Sequence, residues 1–218
     1  MTLRNQFPTD SRFDIPIICR QEISWNGDTL VGIQNANARD ADAHEKALHC
    51  FKDDKRIMAA YEHPERAFER ISHYAVLVTP NYSLFSNMPV ARQIDAVFRS
   101  RWVGAYWQSR GKEVVANVTW GMPDSYDFCF CGLEKRCVVA VSTMGAERTK
   151  QGFLNGYRAM CERVEPSEIW CYCRPFPEMS DSVTRVFPYE AQGRRKQAAP
   201  CDGQLSMLDG SQSEGDAQ

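Results

Sequence analysis

The sequence predicts an α/β fold: a parallel βα-repeat sheet, laid out as an open sheet or, the reading favoured here, as an incomplete TIM-like barrel. Two observations carry this. Short apolar runs alternate along the chain with longer segments of helical periodicity. Most of those runs are continuous rather than alternately polar and apolar, as in strands covered on both faces. Helices that return the chain between such strands make right-handed crossovers.

Strands are expected at residues 30–34, 47–51, 75–79, 114–120, 138–143 and 169–173, with a seventh at 184–188. Helices are expected at 54–60, 64–72, 89–110, 125–130 and 150–164. The helix over 89–110 is the best punctuated. Asn87 is placed to cap it, Pro89 suits its first turn, and Gly111 ends it. Its inward stripe reads Val90, Ile94, Val97, Phe98 and Ala105, and Arg101 falls within that stripe. A buried guanidinium requires a partner. Arg101 lies about 12 residues along, roughly 18 Å below the ligand face at 1.5 Å per residue. A structural ion pair is therefore expected rather than a ligand clamp. Trp102, Tyr106 and Trp107 read as packing.

The 218 residues suffice for one α/β domain over 1–189 and a tail over 190–218. Hydrophobic residues make up 43% and charged residues 25%, an ordinary globular mix. A net charge of -2 and a pI near 6.1 argue against a dedicated high-affinity DNA-binding domain, which rests on Lys and Arg neutralising phosphates. No apolar run approaches the roughly 18 residues of a membrane span. The stretch from Met1 to Arg12 is polar, with no signal-peptide core. The expected location is the cytoplasm, where nine cysteines read as thiols. Cys129 with Cys131, and Cys171 with Cys173, are spaced too closely for the usual zinc pairs, so no metal is expected.

Ligands of parallel α/β folds bind beyond the carboxyl ends of the strands, and that rule selects the candidate residues. After the second strand come Asp53 and Asp54, which cap a helix or bind a cation or act as acid and base. After the third come Asn81 and Ser83, ligand contacts or turn formers. After the fourth come Trp120, a stacking face, and Asp124, an acid candidate or a cap. The loop from Thr143 through Gly145, Arg148 and Thr149 to Lys150 joins a strand to a helix. Cations at a helix N-terminus oppose its dipole, and a bound phosphate offsets that penalty. Arg174, after the sixth strand, is placed to reach the same ligand. Walker, dinucleotide, zinc-protease and nucleophile-elbow motifs are absent. Of the four histidines, His44, His49, His63 and His73, none suggests a triad, and His49 reads as a core residue.

The central block runs Thr79-Pro80-Asn81-Tyr82-Ser83, Met88-Pro89, Arg99 to Gln108, Asn117-Val118-Thr119-Trp120, Phe128 to Gly132 and Val139 to Thr143. In that order the motifs resemble the domain-of-unknown-function 4417 family of phages, plasmids and bacteria, from about Asp14 to Pro177. The family supplies no established activity. The resemblance implies Asp where this chain has Asn81 and Cys131, and often His where it has Met144. If those positions serve catalysis in other members, the resemblance implies that this chain is a binding protein or a variant enzyme. The βα order is also similar, at fold level alone, to phage deazaguanine-DNA transglycosylases.

The tail is built largely of Gly, Ser, Gln, Asp, Glu and Ala, and is expected to be disordered. One apolar island interrupts it, Gln204-Leu205-Ser206-Met207-Leu208. This pentapeptide resembles the motif with which bacterial DNA-processing proteins dock on the replication sliding clamp. The resemblance implies Gln204 at the groove rim and Leu205, Met207 and Leu208 in its pockets. The reading as a whole is a mobile-element protein of DNA replication or metabolism, its tail on the clamp and its core holding nucleotide or nucleic acid. The rivals are a nucleobase- or nucleotide-modifying enzyme and a non-enzymatic sponge of host defence. Catalysis and cofactor stay open.

Overall fold

The computed structural model describes residues 3–179 and 183–189. Seven parallel strands pair in chain order: β1 (Leu30–Gly32), β2 (Ala47–His49), β3 (Val76–Val78), β4 (Glu113–Asn117), β5 (Val138–Ser142), β6 (Glu168–Tyr172) and β7 (Thr184–Phe187). The chain returns through α1 (Asp54–Ile57), α2 (Ala59–Glu62), α3 (Pro64–Ile71), α4 (Val90–Ser109), α5 (Tyr126–Cys129) and α6 (Lys150–Val164). The α/β class and the incomplete-barrel architecture expected from the sequence are both present.

The sheet curls. Phe51, just past β2, stacks on Tyr172 of β6 with ring centroids 5.0 Å apart and planes 13° from parallel. In a flat sheet these strands, four steps apart, are separated by about 19 Å at ~4.8 Å per step. The contact therefore requires a half-barrel. Leu30, Ala47, Val76 and Val115, with Ala140, Trp170 and Phe187, fill the concave face. The opposite face of the strands packs against the helices in two further clusters. Both faces of β1 to β6 are thus buried, which is why those strands read as continuous apolar runs.

Rings also join β6 and β7 to the segment ahead of β1. Trp25, ahead of β1, lies 5.3 Å from Trp170 and stacks on Phe187 at 14°, with the Arg185 guanidinium 5.0 Å over its ring. Its Nε1 donates to the Glu45 carbonyl at 2.8 Å. Among the described residues, side chains rather than a ladder bridge the two edges of the sheet.

The N-terminal segment straps the outside. Asp10 accepts the Gly132 N–H at 3.1 Å, and the Ile18 N–H donates to the Gly132 carbonyl at 3.0 Å. Gly132 sits at φ +70°, and a Cβ there would meet the Pro16 oxygen at 2.2 Å, so glycine is required. Gln108 clasps Cys19 from both sides, accepting its N–H at 2.9 Å and donating to its carbonyl at 2.7 Å.

Helix α4 departs from expectation at three points. Its cap position is Pro89, without a side-chain bond, so Asn87 does not cap it; Val90 is exposed. Gly111 ends it at φ +79°, as expected. Arg101 is buried, but no ion pair holds it among the described residues. Its guanidinium donates to three backbone carbonyls: Asn117 at 2.8 Å, Cys129 at 3.0 Å and Cys131 at 3.1 Å. Those acceptors lie at the end of β4 and around the end of α5, so one side chain pins both to α4. Burial pulls its pKa down to about 10, which leaves it charged at neutral pH.

Candidate functional site

Side chains tie the loops beyond β2, β3 and β4 together at the carboxyl mouth of the half-barrel. Asp54 opens α1, and its Oδ1 accepts from both the N–H and the hydroxyl of Ser83, each at 3.0 Å. That carboxylate staples two loops. Asp53 occupies the cap position of α1 without a capping bond; it is exposed, 3.8 Å from the Arg56 Nε. The two acids have separate partners. Asn81 accepts from the Nδ2 of Asn117 at 3.0 Å. Asn117 is buried at the last position of β4, and its N–H donates to the Thr79 hydroxyl at 2.9 Å. The mouth thus carries a carboxamide pair, one member buried and one half-buried.

The remaining candidates divide. Thr143 donates its hydroxyl to the Arg174 carbonyl at 2.8 Å, which joins the loops after β5 and β6, and the Arg174 residue is exposed. Gly145 sits at φ +76°, where side chains are strained. Arg148 lies on the exposed turn Glu147–Thr149, and Thr149 caps α6 by position only. Lys150 is engaged elsewhere: its Nζ is 2.8 Å from Glu178 and 5.2 Å from the Phe176 ring centroid. The Lys150 hydrogen bond holds the Glu178 carboxyl below its ordinary value. Asp124 is exposed on the turn Pro123–Ser125. Trp120 leaves the sheet for the helical side, against Phe153 at 5.1 Å and Phe130 at 6.2 Å. The tail motif Gln204 to Leu208 lies outside the described residues.

Four residues at the mouth were not singled out as site residues from the sequence: Gln34, Lys52, Asn117 and Tyr172. His49, read there as core, joins them. It is fully buried, 4.5 Å from the Tyr172 ring, and its Nδ1 accepts the Phe51 N–H at 3.2 Å. Burial, with a smaller push from Lys52, pulls its pKa down to about 3, so the ring is neutral at pH 7. The signal for such residues is a polar side chain interrupting an apolar strand near its carboxyl end, as His49 does in β2 and Asn117 in β4.

Burial pushes the thiols of Cys129 and Cys137 up to about 11 and that of Cys171 up to about 12. These are not thiolate nucleophiles at neutral pH. None of the eight described cysteines forms a disulfide. Among the described residues, no three His, Cys, Asp or Glu side chains converge into a metal-holding group, and no helix is long and apolar enough to cross a membrane.

The sequence model of the DUF4417 family, described as a domain of unknown function, matches residues 7–190. The chain is 36% identical to the Gene 1 protein of Mycobacterium phage L5 over 202 residues, covering 90% of this chain and 87% of that protein. It is 33% identical to the Gene 1 protein of Mycobacterium phage D29 over 205 residues, covering 91% of this chain and 75% of that protein. No solved structure matches the chain.

Proposed function

The chain belongs to the DUF4417 family and is related to phage proteins, and from that premise we propose that it acts in the DNA metabolism of a mobile element. Its α/β core holds a nucleotide, or a nucleotide unit of a strand, at the carboxyl mouth. Its tail docks on the bacterial sliding clamp through Gln204, Leu205, Ser206, Met207 and Leu208. Both events take place in the cytoplasm.

The Asn81–Asn117 carboxamide pair carries the nucleotide reading. Carboxamides present donor and acceptor side by side and are suited to base edges. This pair stands where parallel sheets bind ligands, and the amide donors of Asn81 have no acceptor among the described residues. Arg148 and Arg174, exposed on neighbouring loops, suit phosphate. The near-neutral charge fits a division of labour in which the tail, not a basic surface, brings the core to DNA. Tethering supplies an effective concentration of about millimolar for a short flexible linker.

Two measurements test this. Small molecules retained by the native protein, identified by mass spectrometry, should be nucleotides, and Asn81→Leu should abolish their retention. Purified clamp should bind the full chain, and Leu205→Ala with Leu208→Ala should remove that binding. Equal affinity of the double variant for the clamp refutes the tail assignment.

A further inference from the structure

Gln34 follows β1 at the edge of the mouth, and neither its Oε1 nor its Nε2 has a hydrogen-bond partner among the described residues although both atoms are buried. An unpaired buried amide is a cost that folded proteins rarely retain. The carboxamide lies over Gly32: a Cβ on that residue would meet Nε2 at 2.6 Å, Oε1 at 2.8 Å and the Lys52 Cε at 2.9 Å. Gly32 is in register with His49 of β2, so Gln34, Lys52 and the buried imidazole gather at the carboxyl end of two neighbouring strands. Tyr189, beyond β7, brings a half-exposed ring to the same place, 6.0 Å from the Lys52 Nζ and 6.1 Å from the Tyr172 ring.

These groups form a set. A carboxamide supplies one donor and one acceptor in the spacing of a nucleobase edge. A half-exposed aromatic ring stacks a base. An ammonium beside them takes a phosphate oxygen. We propose that Gln34 reads the edge of a nucleobase, that the base lies on Tyr189, and that Lys52 holds the attached phosphate. This rests on the nucleotide reading above and adds, to the contacts proposed there for Asn81, a second set from the β1–β2 side of the mouth. It also accounts for the unpaired amide, which gains its partners from the ligand.

Titration calorimetry of the full chain tests it. The probes are the four 5′-deoxynucleoside monophosphates, the corresponding nucleosides, and a single-stranded oligodeoxynucleotide. Gln34→Met should weaken the preferred monophosphate about tenfold and raise the melting temperature of the ligand-free protein, because a buried unpaired amide is gone. Lys52→Met should weaken the monophosphate about tenfold and leave the nucleoside unchanged. If Gln34→Met weakens the oligonucleotide as well, the unit is read within a strand; if only monophosphates bind, it is read free. Wild-type affinity in both variants, with binding lost in Asn81→Leu, overturns this assignment and leaves the proposed function standing. No binding of any probe by the wild type at millimolar concentration overturns both.

Discussion

His49 makes the stability of this protein acid-sensitive in a way that one substitution isolates. The imidazole is fully buried between Phe51 and Tyr172, and burial lowers its pKa from 6.5 to about 3. Between those values the unfolded chain binds a proton that the folded chain refuses. Unfolding therefore takes up a proton over that window, and stability rises with pH through it. At pH 5 the unfolded imidazole is almost wholly charged and the folded one is not. The resulting loss relative to pH 7 is about 2 kcal/mol, growing to about 3 kcal/mol at pH 4. His49→Asn retains an acceptor for the Phe51 N–H and removes the titration. Urea unfolding at pH 7 and pH 5, extrapolated linearly, gives the comparison. The wild type should lose about 2 kcal/mol more than the variant between the two pH values. A difference below about 0.5 kcal/mol refutes a neutral, buried imidazole at this position.

Two further substitutions test how the mouth is supported. Arg101→Met strands three buried carbonyls and should destabilise the fold by about 3–5 kcal/mol in urea unfolding; a change under about 1 kcal/mol means that other donors replace the guanidinium. Gly156→Ala would place a Cβ 2.1 Å from the Trp120 indole. The overpacking penalty of about 1–3 kcal/mol exceeds the helix-propensity gain of about 1 kcal/mol. Net destabilisation with altered tryptophan fluorescence is expected, and unchanged values refute the seating of Trp120 on α6.

What was legible in the sequence follows from what burial does to residue patterns. The first six strands are visible because both of their faces are covered, and a covered strand such as Val138–Ser142 becomes an apolar run, whereas β7 keeps Val186 exposed. Their ends drift for local reasons. The fourth strand was expected to reach Trp120, but the ladder stops at Asn117 because Trp120 turns away to pack with Phe130 and Phe153. The helix expected over 54–60 is instead α1 and α2, divided at Met58. Of the candidate site, Asp54, Ser83 and Asn81 were legible as loop residues after strands. Their partnerships were not, since Asp54 with Ser83 and Asn81 with Asn117 join positions far apart in the chain. Arg101 is the clearest case. A search by residue type looks for a carboxylate, and its acceptors are main-chain oxygens that every residue carries. Lys150 shows the same limit: its place at the start of α6 was legible, but its pairing with Glu178, 28 positions on, was not.

The Phe51–Tyr172 stack has a bearing on how relatives of this protein can diverge. The ladder fixes which strands are neighbours, but the aperture at the top is fixed by the thickness of two rings meeting across a hollow. Exchanging either ring for a slimmer side chain would let the rim relax outward with every backbone pairing preserved. The width of the rim can therefore change through two positions alone, and the scaffold beneath them can stay as it is.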